Sequence, residues 1–261
     1  MVSFSGHAVP MVVTLLVWFF ATGLIAWLDN RDRATFPRAL MMAGATGIAG
    51  LIAVVVGSNL STIAGAYIGF IGALMVWSWH EASFLMGAVA GPRREPSRPS
   101  ARGWERFIDA SSTLIYHEIA LALTALMLLS LSWNAPNPAG AQVFLLLFAL
   151  RLCSKLALYA GVPNEIGTLL PPHLQYLCSY FGPQRFSGTF VCSLVATISL
   201  ACWLGAQALA APASSTEAVS ASLLFALSVL GAVEHIFFAL PFRDGALWGW
   251  ALPARTNRIN A

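Results

Sequence analysis

Long apolar runs, each bounded by turn or charged residues, dominate the pattern along the chain. A run of about 18 or more predominantly apolar residues predicts a helix that crosses a membrane. Seven spans are predicted, at about residues 9–28, 38–56, 61–90, 107–133, 141–160, 186–210 and 218–240. The third is longer than a bilayer requires, so we expect it to tilt or to project beyond the membrane. The predicted fold class is an all-α integral membrane protein, a seven-transmembrane-helix bundle.

Composition supports the same class. Hydrophobic residues make up 58% of the chain and charged residues 10%, with a mean hydropathy of +0.73. No segment between spans is long enough for a soluble domain, so residues 1–261 are predicted to form a single multi-pass membrane domain. Residues 161–184 are more polar and interrupted by prolines, and are predicted to lie at the membrane interface. Basic loops explain the net charge of +3, so nucleic-acid binding is not expected.

Arginine residues between the predicted spans all fall on one side of this topology. They occur in the loops after the first and third spans, just before the sixth span and in the tail, while the opposite loops contain no lysine or arginine. Basic loops stay in the cytoplasm. We therefore expect a periplasmic N-terminus and a cytoplasmic C-terminus in a bacterial inner membrane.

Three predicted spans each contain a histidine next to a glutamate: His80-Glu81, His117-Glu118 and Glu234-His235. At a rise of 1.5 Å per residue, the pairs lie roughly 14 to 20 Å from the cytoplasmic ends of their spans. Small residues share the helix faces of the histidines, and such residues mark helix contacts in membranes. We predict that the six side chains border one cavity.

Ionisable residues inside a membrane indicate function by default, and several alternatives stay open for these pairs. They can be interhelical hydrogen bonds that hold the bundle together. A neutral imidazole can also be the axial ligand of a tetrapyrrole metal, and imidazole with carboxylate suits a divalent metal such as zinc, iron or manganese. The spacing matches no zinc-protease or di-iron helix motif, so no catalytic residue is assigned.

Further residues are candidates for accessory roles. Arg151 and Lys155, one helical turn apart, are expected to snorkel to the cytoplasmic surface, or alternatively to bind a propionate or phosphate group. The segment from Pro163 to Tyr180 is expected to cap the cytoplasmic mouth of the bundle. In the alternative, Asn164, Glu165 and His173 gate or complete the buried site.

Four longer motifs stand out from the third span onward. They are Trp79-His80-Glu81 with Phe84-Leu85 and Gly91-Pro92-Arg93-Arg94; Arg151 with Lys155; Gly161-Val162-Pro163-Asn164 with Leu170-Pro171-Pro172-His173-Leu174, Tyr176-Leu177 and Ser179-Tyr180-Phe181; and Glu234-His235 with Leu240-Pro241, Asp244, Ala246-Leu247-Trp248 and Trp250. In these motifs the chain resembles the PuhE family, photosynthetic complex assembly protein 2 of purple phototrophic bacteria. It departs from the family at Cys178, where a lysine is expected, and at Gln175, where a cation is common.

The resemblance implies a factor for assembling the reaction-centre and light-harvesting apparatus in the inner or intracytoplasmic membrane. It favours the handling of bacteriochlorophyll or a precursor near His80, His117 and His235. Partners are then expected among reaction-centre or light-harvesting proteins or pigment-synthesis enzymes. The rival interpretations are a membrane metalloenzyme, in which the three pairs hold metal ions, and a scaffold that only contacts reaction-centre subunits.

Overall fold

The computed structural model describes residues 2–164, 170–240 and 247–251, which form helices joined by loops. A π-helical turn at Phe4–Ala8 leads into the first α-helix, and 3-10 helices lie at Arg33–Thr35 and Pro172–Tyr180. The α-helices are α1 (Val9–Asp29), α2 (Phe36–Ser58), α3 (Ile63–Leu85), α4 (Gly103–Ser112), α5 (Ile115–Leu131), α6 (Ala139–Ala160), α7 (Gly188–Ala210) and α8 (Thr216–Ala239). Four residues used above, Glu165, Pro241, Asp244 and Ala246, lie outside the described residues.

The predicted all-α, multi-pass membrane fold is confirmed for the described part of the chain. Six helical segments there are each long and apolar enough to cross a membrane. A seventh crossing exists only if α4 and α5 together form one bent span. Which end of the bundle faces the cytoplasm stays a prediction.

The third span ends earlier than predicted. Helix α3 stops at Leu85, because the backbone N–H groups of Ala88 and Val89 turn back to donate to the carbonyl oxygen of Ser83. Gly87 then adopts a φ of +75°, a conformation that glycine reaches without a steric penalty. The predicted continuation of this helix to residue 90 is wrong, and its 23 residues suit an ordinary bilayer.

The fourth span is broken, where one continuous helix over residues 107–133 was predicted. Helices α4 and α5 meet at an angle of 69°. The hydroxyl groups of Ser112 and Thr113 donate to backbone carbonyls one turn earlier, a contact that tends to bend helices. The backbone N–H of His117 donates to the carbonyl oxygen of Ala90 at 3.1 Å. The break therefore places His117 and its neighbour Glu118 in the first turn of α5.

Helix α3 lies at the centre of the packing that positions the site. It packs closely on α2, since a Cβ atom at Gly50 would lie 2.7 Å from the backbone oxygen of Gly72. On its other side, α3 shares one buried apolar core with α5, α6 and α8. Fully buried side chains from each of these helices meet there: Phe70, Leu121, Phe144 and Leu223. The polar cluster described next lies on the same four helices.

Candidate functional site: a cluster of charged residues inside the bundle

Glu81 on α3 connects the residues of the cluster. Its Oε2 atom lies 3.4 Å from Nη2 of Arg151 on α6, and its Oε1 atom lies 3.9 Å from Nε2 of His117 on α5. The residue is only 8% exposed, so its charge is almost removed from solvent and lipid. A buried carboxylate needs a counter-charge, and Arg151 supplies it.

Arg151 joins two carboxylates from different helices. Besides the contact to Glu81, its Nη1 atom lies 3.7 Å from Oε1 of Glu234 on α8. The Arg151 and Glu234 side chains are 36% and 40% exposed, so this edge of the cluster is open to contact from outside the bundle. One guanidinium thus ties α3 to α8 through α6.

Lys155, one turn after Arg151 on α6, forms an ion pair with Glu118 on α5. These two side chains are 17% and 15% exposed, so the pair is largely enclosed. The Lys155 Nζ atom also lies 5.8 Å from the centroid of the Phe84 ring. Arg151 and Lys155 were expected to snorkel to the cytoplasmic surface or to bind a propionate or phosphate group. The structure instead gives both cations glutamate partners on neighbouring helices. These pairs spare the buried carboxylates the cost of an uncompensated charge.

His80 and His117 have different surroundings. Nε2 of His80 lies 3.0 Å from the hydroxyl oxygen of Thr124 on α5, which fixes the ring between α3 and α5. The His117 ring is fully buried and packs 4.7 Å from the Phe84 ring between centroids. Neither of its nitrogens has a hydrogen-bond partner among the described residues. Because buried polar groups are usually bonded, the unpartnered His117 is the most unusual group of the cluster.

His235 does not belong to the cluster. Its Nε2 atom lies 2.8 Å from the hydroxyl oxygen of Ser193 on α7, and its Nδ1 atom lies 2.8 Å from the carbonyl oxygen of Gly231 one turn earlier. The ring is fully buried between α7 and α8. The predicted single cavity with six His and Glu side chains is therefore not formed, because His235 and Glu234 point to different sides of α8.

The accessory residues Asn164 and His173 also lie outside the cluster. Nε2 of His173 lies 2.8 Å from the carbonyl oxygen of Leu85, at the end of α3. Asn164 donates through its backbone N–H, at 3.2 Å, to the carbonyl oxygen of Phe238 near the end of α8. Both residues therefore contact helix ends and do not reach the buried charges. That the segment caps the mouth of the bundle stays a prediction.

The structure thus brings together five of the six paired residues with two cations. The members of the charged cluster are His80, Glu81, His117, Glu118, Arg151, Lys155 and Glu234. Arg151 and Lys155 were candidates from the sequence, but their role as counter-charges was not predicted. The sequence did contain a signal for this role, since the spans carry three carboxylates and two cations that lie on one helix face. Nothing in the sequence indicates Ser193 as the partner of His235.

Comparisons with known proteins identify the family of the chain and one similar protein. The family described as "Protein of unknown function (DUF3623)" matches residues 4–259. The chain belongs to this family. A similar protein is the "Uncharacterized 30.4 kDa protein in puhA 5'region" of Rhodobacter capsulatus, 36% identical over 250 residues, which cover 93% of this chain and 90% of that protein. No solved structure matches the chain.

The histidines of this DUF3623 chain do not fit axial ligation of a tetrapyrrole in the observed form. Nε2 of His80 faces Thr124, and both nitrogens of His235 have hydrogen-bond partners. His117 has unpartnered nitrogens, but its ring is fully enclosed and lies against Phe84, which leaves no room for a macrocycle.

The donor set also suits a divalent metal poorly. Within the described ranges, no three His, Cys, Asp or Glu side chains are gathered closely enough to hold an ion. Each glutamate of the cluster is already paired with Arg151 or Lys155, and these cations would repel a metal beside them. The arrangement is that of an internal salt-bridge network with one accessible edge.

Proposed function

We propose that this chain is an assembly factor of the photosynthetic apparatus in the inner or intracytoplasmic membrane of a purple bacterium. The observation that carries the proposal is the full-length similarity to the Rhodobacter capsulatus protein, whose name puts its gene beside puhA, in a photosynthesis gene cluster. The PuhE-like motifs support the same role, since two of them contain the cluster residues Glu81 and Glu234. The clients are reaction-centre or light-harvesting proteins or pigment-synthesis enzymes.

The accessible edge of the cluster is the proposed contact for a client. Charged groups at membrane depth are costly and are retained for a purpose. The cluster contains one more carboxylate than cation, and Glu234 has the most exposed of these carboxylates. This balance favours a client that presents a cation or a hydrogen-bond donor from its own membrane helix. Binding would then satisfy Glu234 at the Arg151 edge without opening the bundle.

Handling of bacteriochlorophyll or a precursor is the second candidate, and the unpartnered imidazole of His117 favours it. Neutral imidazole is the donor type that a chlorin metal takes. Because Phe84 encloses His117 in the observed form, a pigment could bind this imidazole only in a rearranged state of the bundle. The metalloenzyme alternative has weaker support, since the carboxylates it needs are paired with cations.

The test is replacement of the chromosomal gene by variants in a phototrophic host. Glu234→Gln is expected to lower the near-infrared absorption of assembled complexes several-fold at unchanged amounts of the variant protein. The matched control is Glu217→Gln at an exposed position in the first turn of the same helix, which is expected to behave as wild type. Normal complex levels after deletion of the gene would refute the assembly role.

A further variant separates the two candidates. His117→Gln is expected to leave complex levels near wild type if Glu234 recognises a protein client. If His117→Gln abolishes pigment that co-purifies with the wild-type protein, the pigment candidate is correct instead. The absorption spectrum of the purified protein decides this independently of complex assembly.

A further inference from the structure

Two neighbouring cavities lie at the end of the bundle where α1, α2 and α3 have their termini. Their volumes are about 280 and 210 Å³, and Arg33, Phe36 and His173 line both. The shared wall makes them two lobes of one depression, here named the α1–α2 recess. It has no lining residue in common with the charged cluster.

The larger lobe is cationic. Arg33 and Arg94 line it, and none of its lining residues that the structure describes is a carboxylate. Arg93 and Arg98, in the same loop as Arg94, are paired with Asp109, whereas the side chains of Arg33 and Arg94 make no ion pair with any other residue that the structure describes. Two unpaired guanidinium groups on one cavity wall attract an anion, and their fork of donors matches phosphate.

His173 contributes a polar wall rather than a third charge. Burial, assisted by the nearby Arg33, lowers the pKa of His173, while the hydrogen bond to the Leu85 carbonyl opposes the shift. The neutral ring donates from Nε2 to that carbonyl, at 2.8 Å. The positive charge of the larger lobe therefore comes from its arginines.

The smaller lobe is lined by residues of both charges. Asp29 and Arg31 line it together with Arg33. The Asp29 carboxylate accepts a hydrogen bond from Asn30 at 2.8 Å, and the Arg31 guanidinium lies 4.1 Å from the centroid of the Trp27 ring. An anion is therefore favoured in the larger lobe, away from Asp29.

Apolar side chains also line the larger lobe. Phe36, Met86 and Leu174 line it and are themselves almost fully buried. The ends of three predicted membrane helices surround the recess, which puts it in the zone where lipid headgroups lie. A ligand that fits both walls has an anionic group and an apolar body.

We propose that the α1–α2 recess binds the phosphate group of an anionic amphiphile through Arg33 and Arg94, with the apolar portion against Phe36 and Met86. The same phosphate chemistry is offered by a phospholipid headgroup and by a soluble phosphate compound. This site is independent of the proposed assembly function.

The experiment titrates the purified full-length chain in neutral detergent with phosphatidylglycerol and counts bound lipid by native mass spectrometry. Each of Arg33→Gln and Arg94→Gln is expected to weaken lipid binding about tenfold, as the loss of one charge-assisted hydrogen bond implies. The matched control is Arg38→Gln, which removes the same charge from an exposed position of α2 that lines neither lobe. The charge-retaining double variant Arg33→Lys with Arg94→Lys is expected to recover only part of the binding, because lysine keeps the charge but lacks the fork of donors.

Inorganic phosphate distinguishes the two sources. If millimolar phosphate leaves phosphatidylglycerol binding unchanged, the apolar wall contributes and the ligand is a lipid. If phosphate displaces the lipid, a soluble phosphate compound is the ligand of the same two arginines. Equal lipid affinity in the wild type and the double glutamine variant would overturn the proposal, as would an equal loss in Arg38→Gln.

Discussion

Of the Lys/Arg–Glu ion pairs in the cluster, the pair of Lys155 and Glu118 is the most enclosed. Replacing one partner therefore leaves the other as an unpaired buried charge. Lys155→Met keeps a long apolar side chain but leaves the Glu118 carboxylate without its counter-charge. Breaking a buried pair in this way costs about 3–5 kcal/mol of unfolding free energy. Removing both charges together, with Lys155→Met and Glu118→Gln, leaves no unpaired ion and is expected to stay within about 1 kcal/mol of wild type.

The assay is unfolding in mixed micelles by increasing dodecyl sulfate, followed by far-ultraviolet circular dichroism. The control is Glu105→Gln, which removes one partner of the solvent-exposed pair with Arg98, at side-chain exposures of 54% and 47%. Exposed pairs contribute about 0–1 kcal/mol, so this variant should barely change the transition. If the double variant is as unstable as Lys155→Met alone, lost packing rather than unpaired charge is the cause, and the reasoning fails.

Three further predictions concern residues outside the cluster. Ser193→Ala should lower the unfolding free energy by about 1–3 kcal/mol, because His235 loses a buried partner, while complex levels in cells stay normal if His235 is structural. Gly91→Ala should prevent folding into detergent-stable protein, since the new Cβ would lie 2.1 Å from the Ser112 oxygen, whereas Gly188→Ala, with nothing within 4 Å, should purify normally. Because burial lowers the pKa of His173 in the folded state, stability present above pH 6.5 should be lost as the pH falls through the folded pKa, and unfolding measured against pH should show a shallower acid decline for His173→Gln.

Hydropathy was enough to predict the membrane helices, because apolar length is the property that a bilayer selects. It failed at the two places where the chain stays apolar but the backbone turns. At Gly87 a positive φ ends α3, and at Thr113 side-chain hydroxyl groups compete for helix carbonyls. Both are local hydrogen-bond and dihedral effects that an apolar count does not register.

The partners within the cluster were less predictable than its members. Ionisable residues at membrane depth are rare enough to be noticed singly, but the rotation of each helix about its axis decides which of them meet. Glu234 turns toward Arg151 on α6, whereas its neighbour His235 turns toward Ser193 on α7. Adjacent side chains on a helix point in directions about 100° apart. The sequence alone therefore does not show which neighbouring helix Glu234 or His235 faces.

The cluster residues lie at similar distances from the ends of their helices, although these distances are shorter than predicted. His80, Lys155 and Glu234 each lie five residues before the ends of α3, α6 and α8, which is about 8 Å along each helix. The early end of α3 and the break before α5 moved both helix boundaries toward the cluster, so its members stayed level. Charges close to a helix end cost less than charges at the bilayer centre, since water and headgroups approach them. A closed part at Lys155 and an open edge at Glu234 can therefore coexist, and the open edge is where a client can reach the cluster while the bundle stays packed.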